Sequence, residues 1–127
     1  MVRVIALALF LTQGSAYAAI PTDQAVRAII GEAANQGRSG MYAVACAIRN
    51  RGTLNGVYGL RARHVDRQPG WVWDRARAAW RDSAYKADVT KGATHWENEK
   101  AFGKPYWAKH MHRTVTIGDH TFYREVR

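Results

Sequence analysis

The sequence predicts an α-rich α+β domain that ends in a small β-hairpin. Apolar residues recur at helical spacing in three segments between Thr22 and Lys86. The period then switches to alternation in Thr114–Tyr123, where Gly118-Asp119 sits at the position of a two-residue turn. The 127 residues suffice for one domain with one modest core. Internal repeats, low-complexity tracts and linkers are absent from the sequence.

Residues 1–18 stand apart. Arg3 supplies a positive start, Val4–Leu11 an apolar run, and Ala16-Tyr17-Ala18 an A-x-A cleavage site. This is the pattern of a secretory signal peptide, which leaves residues 19–127 as one domain. The expected location is the periplasm or cell wall, and a segment left uncleaved would tether the domain loosely to the membrane. No later segment is long enough to span a bilayer.

The first helix is expected after Pro21, with Thr22 as N-cap, and runs to about Asn35. Val26, Ile29, Ile30 and Ala33 form its buried face, and Glu32 falls at the edge of that stripe. After a turn at residues 35–38, Ser39 can cap a second helix through Arg51, apolar on nearly all sides, with Gly52 as its C-terminal stop. Residues 53–70 lack periodicity and read as an exposed loop. A third helix is expected over Trp71–Lys86, with Trp73, Ala76, Trp80 and Ala84 inward. Residues 87–104 form a long irregular stretch, which in a compact domain is usually functional.

The whole chain has a formal net charge of +9. Removing residues 1–18 takes away one arginine and no acid, so the remaining domain carries +8. Such a surface favours polyanions. For an exported protein these are the carboxylates and phosphates of wall polymers rather than nucleic acid. The single cysteine, Cys46, lies in the apolar run Met41–Ile48 and reads as a small buried hydrophobe.

Several machineries are missing from the sequence: it has no P-loop, no dinucleotide-binding GxGxxG, no GxSxG elbow, no CxxC pair and no HExxH helix. His95, His110, His112 and His120 cluster late, with Glu97 and Asp119 nearby, and leave open a zinc-dependent amidase acting on peptides. A sugar-polymer reading fits better. Five tryptophans and six tyrosines are more flat rings than one small core readily hides. Trp96, Tyr106 and Trp107 fall off any periodic face, where rings can stack on sugars. Glu32 supplies the acid, because a carboxyl half sunk in hydrocarbon tends to keep its proton towards neutral pH.

These residues also carry a resemblance. The blocks are Ile30-Gly31-Glu32-Ala33, Gly40–Ala45 leading to Ile48-Arg49-Asn50-Arg51, Asp88–Trp96, Pro105-Tyr106-Trp107-Ala108 and Ile117–Arg124. In order and spacing they resemble the SleB-like cell-wall hydrolases, the spore-cortex-lytic family, over roughly residues 24–124. The middle departs: where such proteins usually carry a Gln-Phe-type motif, this chain has Leu60–Trp71. The resemblance implies a mainly helical, lysozyme-like (lytic transglycosylase-like) domain, a peptidoglycan substrate and a central glutamate, which by position is Glu32.

A glycoside hydrolase ordinarily has a second carboxylate about 5–9 Å from the first. Asp88 and Glu97 are the candidates, each with an alternative reading as a turn or loop residue. A single acid suffices if the muramic acid 6-hydroxyl is the nucleophile, so a lytic transglycosylase is favoured over a muramidase. His95, Trp96 and Asn98 are expected along the groove, and Tyr106 and Trp107 as stacking platforms. Asn50 is expected to cap the second helix or brace Glu32, and one of His120 and Tyr123 to face the groove. No metal or cofactor is expected, and the protein should be a monomer. A non-catalytic glycan-binding module is the remaining alternative.

Overall fold

The structure, a computed structural model, describes residues 20–126; the expected signal segment lies outside them. Three helices pack around one core and a three-stranded antiparallel sheet closes it at the C-terminal end. Among the described residues no helix is long and apolar enough to cross a membrane.

Helix α1 spans Thr22–Ala33 and α2 spans Gly37–Arg51. Thr22 is the first helical residue of α1; Pro21 holds the cap position, without a side-chain cap bond. The buried face of α1 is wider than the predicted stripe and includes Ala25 and Ala28, whose small side chains let neighbours approach closely. Helix α2 begins two residues before Ser39, and its flanking Gln36 makes no side-chain cap bond. The Gln36 amide oxygen accepts from Asp119 N at 2.9 Å and its nitrogen donates to Asp119 Oδ2 at 3.0 Å, pinning the hairpin turn to the α1–α2 connection. Gly40, Met41 and Ala43–Ile48 are all buried, Cys46 among them, so α2 is the central helix. It stops where expected: Gly52 adopts φ +75°, conformational space open to glycine, and donates to Ile48 O at 2.9 Å.

Residues 53–70 are not the exposed loop that their lack of periodicity suggested. They form two 3₁₀ turns, Tyr58–Arg61 and Arg63–Arg67, with Val57, Gly59 and Val65 buried. Burial here comes from backbone contact rather than from an amphipathic face. A Cβ on Gly31 would stand 1.9 Å from Gly59 O, and a Cβ on Gly59 would stand 2.7 Å from Glu32 Cγ. Two polar contacts hold the segment to α1: Arg27 pairs with Asp66 at 2.8 Å, and the His64 ring meets Gly31 O at 3.1 Å.

Helix α3 spans Gly70–Ser83 and buries Val72, Ala76, Ala79 and Trp80. Trp73 is only half-buried, and Ala84 lies just past the helix end. Arg49 of α2 joins the two helices, stacking 3.6 Å from the centre of the Trp80 ring and donating to Trp80 O and Ser83 Oγ.

The sheet has the order β1-β3-β2, with β1 at His95–Glu97, β2 at Met111–Ile117 and β3 at His120–Glu125. The hairpin is longer than predicted and carries an irregularity between Arg113 and Val115. Its turn has positive φ at Gly118 (+60°) and not at Asp119, the backbone pattern of type II′. Strand β1 lies in the stretch expected to be irregular and pairs Trp96 with Phe122 and Glu97 with Thr121. A four-residue helix, α4 (Glu99–Phe102), and a 3₁₀ turn, Tyr106–His110, connect β1 to β2.

The approach to β1 is built on α2. Asp88 accepts from Thr90 N (2.8 Å), Thr90 Oγ1 (2.6 Å) and Gly92 N (2.9 Å), and Asn50 Nδ2 donates to Asp88 Oδ2 at 2.9 Å and to Ala93 O at 3.0 Å. Asn50 therefore neither caps α2 nor braces Glu32; it anchors the Asp88 turn. Burial would raise the Asp88 pKa, but these hydrogen bonds outweigh it and hold the carboxyl below its ordinary value.

The Gly31–Gly59 contact makes a direct prediction. Overpacking costs about 1–3 kcal/mol, and a domain of this size loses roughly 4–8 °C of Tm per kcal/mol. A clash with backbone takes the upper end of that range, so after the ~1 kcal/mol that alanine gains over glycine in a helix, Gly31→Ala should lower Tm by about 8–16 °C. Gly70→Ala, whose Cβ would meet nothing within 4 Å, should hold or raise Tm. Thermal melts by circular dichroism test both, and an unchanged Gly31→Ala protein would refute the close approach.

Candidate active site: a groove over Glu32

Glu32 sits in the last turn of α1, half-buried beneath the backbone of Gly59. The Trp96 indole N–H donates to Glu32 Oε1 at 3.1 Å, so the sheet reaches across to hold the helix's carboxyl. Trp96 is itself fixed by its cross-strand pairing with Phe122, which is fully buried. Desolvation raises the Glu32 pKa most, the Trp96 hydrogen bond lowers it, and the negative charge of Glu97 raises it. The net shift is upward. The negative end of the α1 dipole acts in the same direction, because it disfavours an anion in the last turn.

A cavity of about 720 Å³ opens over this carboxyl. Gly31 and Glu32 form its floor, Gly56–Tyr58 one wall and residues 95–98 the other. Phe102 and Tyr58 are respectively 77% and 85% exposed, so two largely uncovered rings stand at its mouth.

The sequence-predicted residues separate into two groups here. Glu32, His95, Trp96, Asn98 and Trp107 all line the cavity, whereas Tyr106 is 82% exposed and does not. Trp107 lies tilted against His95, ring centres 5.3 Å apart, and meets Tyr123 edge-on at 5.4 Å, so it is wedged between neighbours rather than free. His95 Nδ1 is 2.8 Å from Thr94 Oγ1, and burial followed by the charge of Arg51 lowers the imidazole pKa. Asn98 has a structural duty as well, because its Oδ1 accepts from Ala101 N as the N-cap of α4.

Of the two residues flanking the hairpin turn, His120 lines the cavity, while Tyr123 is buried with its hydroxyl donating to Glu99. Glu97 is on the cavity and Asp88 is not. Among the described residues, no three of His, Cys, Asp and Glu are gathered as metal ligation would require.

Arg51, Val57, Tyr58 and Phe102 escaped sequence reasoning. Arg51 donates to Thr94 O at 3.2 Å and to Asn55 O, spanning the two walls, and a Cβ on Gly56 would come within 2.8 Å of its guanidinium. A usable signal was present at Tyr58: an aromatic ring between Gly56 and Gly59 in an aperiodic segment has no helical face in which to hide.

The opposing influences on Glu32 are separable. Trp96→Phe removes the hydrogen bond to the anion and should raise the Glu32 pKa further, whereas Glu97→Gln removes a negative charge and should lower it. Carbon-detected NMR titration of the side-chain carboxyls measures both. Stability follows the same shift. A carboxyl whose folded pKa exceeds its ordinary 4.5 gives up stability as pH rises from that value through the folded pKa. Glu32→Gln should therefore raise Tm at neutral pH, with the gain fading below about pH 4.

Comparison with known proteins bears on the fold. No protein-family model matches the sequence, and no curated protein matches it. The structure is similar to the crystal structure of the catalytic domain of the Bacillus cereus SleB protein, with a TM-score of 0.60 and 25% sequence identity. The match covers 84% of this chain and 92% of that one. The chain thus has the α+β fold of the SleB catalytic domain, mainly helical with a small antiparallel sheet at its C-terminal end.

Proposed function

We propose that this protein is a peptidoglycan-lytic enzyme that cuts the glycan strand between N-acetylmuramic acid and N-acetylglucosamine, using Glu32 as its one catalytic carboxyl. The observation that carries the reading is a half-buried acid with a raised pKa at the floor of an aromatic-lined groove, in a chain with the SleB catalytic-domain fold. Protonated Glu32 donates to the glycosidic oxygen as the bond breaks through an oxocarbenium-like state. The ionised carboxyl then accepts the proton of the muramic acid 6-hydroxyl as that oxygen closes on the anomeric carbon. The product is a 1,6-anhydro end, and the step makes the enzyme a lytic transglycosylase.

Burial favours the acid form before the reaction, and the Trp96 N–H steadies the anion formed during it. Trp96 and Trp107 offer faces for sugar rings, with Asn98 and His95 as polar contacts. Asp88 is unsuited as a second carboxylate, because both its oxygens are engaged within its own turn.

Glu97 gives a second reading. It shares the cavity and its charge acts on Glu32, so it could activate a water and make the enzyme a muramidase. Against this, the Glu97 carboxylate is tied to its own chain. One of its oxygens already accepts from Asn98 N at 3.0 Å. The single-acid route is therefore preferred.

Residues 1–18 would export the protein to the periplasm or wall, and the basic surface would hold it as a monomer on anionic wall polymers, less firmly as salt rises.

Mass spectrometry of digested sacculi tests the reading. Anhydro-muropeptides are expected; reducing ends would indicate a muramidase, freed peptides an amidase, and no soluble product a binding module. Glu32→Gln should bind sacculi yet lose activity by about 10²–10⁴-fold, the usual worth of a general acid. The wild-type rate should fall as pH rises past the elevated Glu32 pKa. Near-normal turnover by Glu32→Gln would reject the assignment.

A further inference from the structure

Among the described residues, two occluded side-chain nitrogens lack any hydrogen-bond partner, Arg51 Nε and His120 Nδ1, and both residues line the cavity over Glu32. Arg51 is occupied by its two backbone carbonyls. His120 is different. It is only 5% exposed, and neither of its ring nitrogens is hydrogen-bonded among the described residues. Buried polar groups rarely remain in that state, because an orphaned donor costs about 1–3 kcal/mol.

The ring is held firmly in place. His120 pairs with Ile117 across the hairpin, and the preceding residue, Asp119, is clamped by Gln36. Its ring meets Phe122 edge-on at 6.2 Å. His120 and Phe122 lie on one face of β3, and Trp96 joins that face through its pairing with Phe122. His120 is thus two residues, about 7 Å along the strand, from the row that holds Glu32.

Burial keeps the imidazole neutral near pH 7 against the opposing pull of Asp119, whose carboxylate is shared with Gln36 and Lys100. A neutral ring carries one N–H. Placed on sealed Nδ1, that proton would be a buried orphan donor; placed on Nε2, it leaves only a lone pair inside. Because His120 lines the cavity while its Nδ1 is sealed, the Nε2 edge is the one turned towards the opening.

We propose that His120 forms an acetamido subsite of the groove, presenting Nε2–H to the carbonyl oxygen of an N-acetylhexosamine seated beside Glu32. The inference rests on the glycan reading above and adds a ligand contact to it. An acetamido group needs a donor for its oxygen and apolar cover for its methyl; His120 and Trp96, both on the cavity, offer the two, with buried Phe122 packed behind them. A glucose unit lacks that group and would leave the donor unmatched.

The test uses the full-length protein labelled with ¹⁵N-histidine, titrated with chitotetraose and with cellotetraose, which share the β-1,4 backbone and differ in the acetamido groups. The expected result is a His120 Nε2–H tautomer in the free protein and a shift of its Nε2 resonance with chitotetraose but not with cellotetraose. His120→Leu should weaken chitotetraose about tenfold, the worth of one hydrogen bond, while His120→Gln, which keeps a donor, should lose less. With sacculi, His120→Leu should raise KM more than it lowers kcat. If His120→Leu does not fold, the tautomer and the wild-type titration decide. An Nδ1–H tautomer, or chitotetraose binding that leaves His120 unmoved, overturns the subsite and leaves the glycan reading standing. Failure of both oligosaccharides to bind wild-type protein overturns the two together.

Discussion

Everything around the site depends on two chain segments meeting with no side chain between them. Gly31 and Gly59 bring the last turn of α1 and the first 3₁₀ turn into backbone contact, and the Glu32 side chain emerges beside that contact. The approach excludes water from one side of the carboxyl. The raised pKa is the electrostatic result of that burial, moderated by the single hydrogen bond that Trp96 brings from the sheet. Any residue larger than glycine at either position would open this contact, and the acid would regain hydration.

The parts of this arrangement that were legible in the sequence are those in which one element shows its own period. Helices α1, α2 and α3 display their buried faces locally, and Gly118-Asp119 announces the hairpin. Residues 57–67 and β1 show no such period. The first segment is buried by a backbone contact with α1, and the three residues of β1 become a strand only by pairing with β3. Glu32 stood out because an acid at the edge of an apolar stripe conflicts with its surroundings. His120 was only one of two candidates to face the groove, and its burial was not legible, because the Gln36 clamp on the neighbouring Asp119 reaches across 83 positions of sequence. Exposure of the aromatics was the hardest to foresee: Trp107 is wedged between His95 and Tyr123 while adjacent Tyr106 is bare, a difference that only the packing of the 3₁₀ turn creates.

The charges are arranged with similar economy. The protein is strongly basic, yet two carboxyls, Glu32 and Glu97, share its principal groove. Asp88 is retained as an anion by four hydrogen bonds and works as a structural pin, so its stabilising effect persists at neutral pH and fades as acid protonates it. Environment alone separates these acids into different tasks.

The order of the strands bears on how the molecule is made. The middle strand of the sheet, β3, follows both of its neighbours in the sequence. Until residues 120–125 have emerged from the ribosome, β1 has no partner and Trp96 has no fixed place from which to hold Glu32. Assembly of the groove thereby waits on residues 120–125, and a chain that has not reached them lacks the wall that faces Glu32.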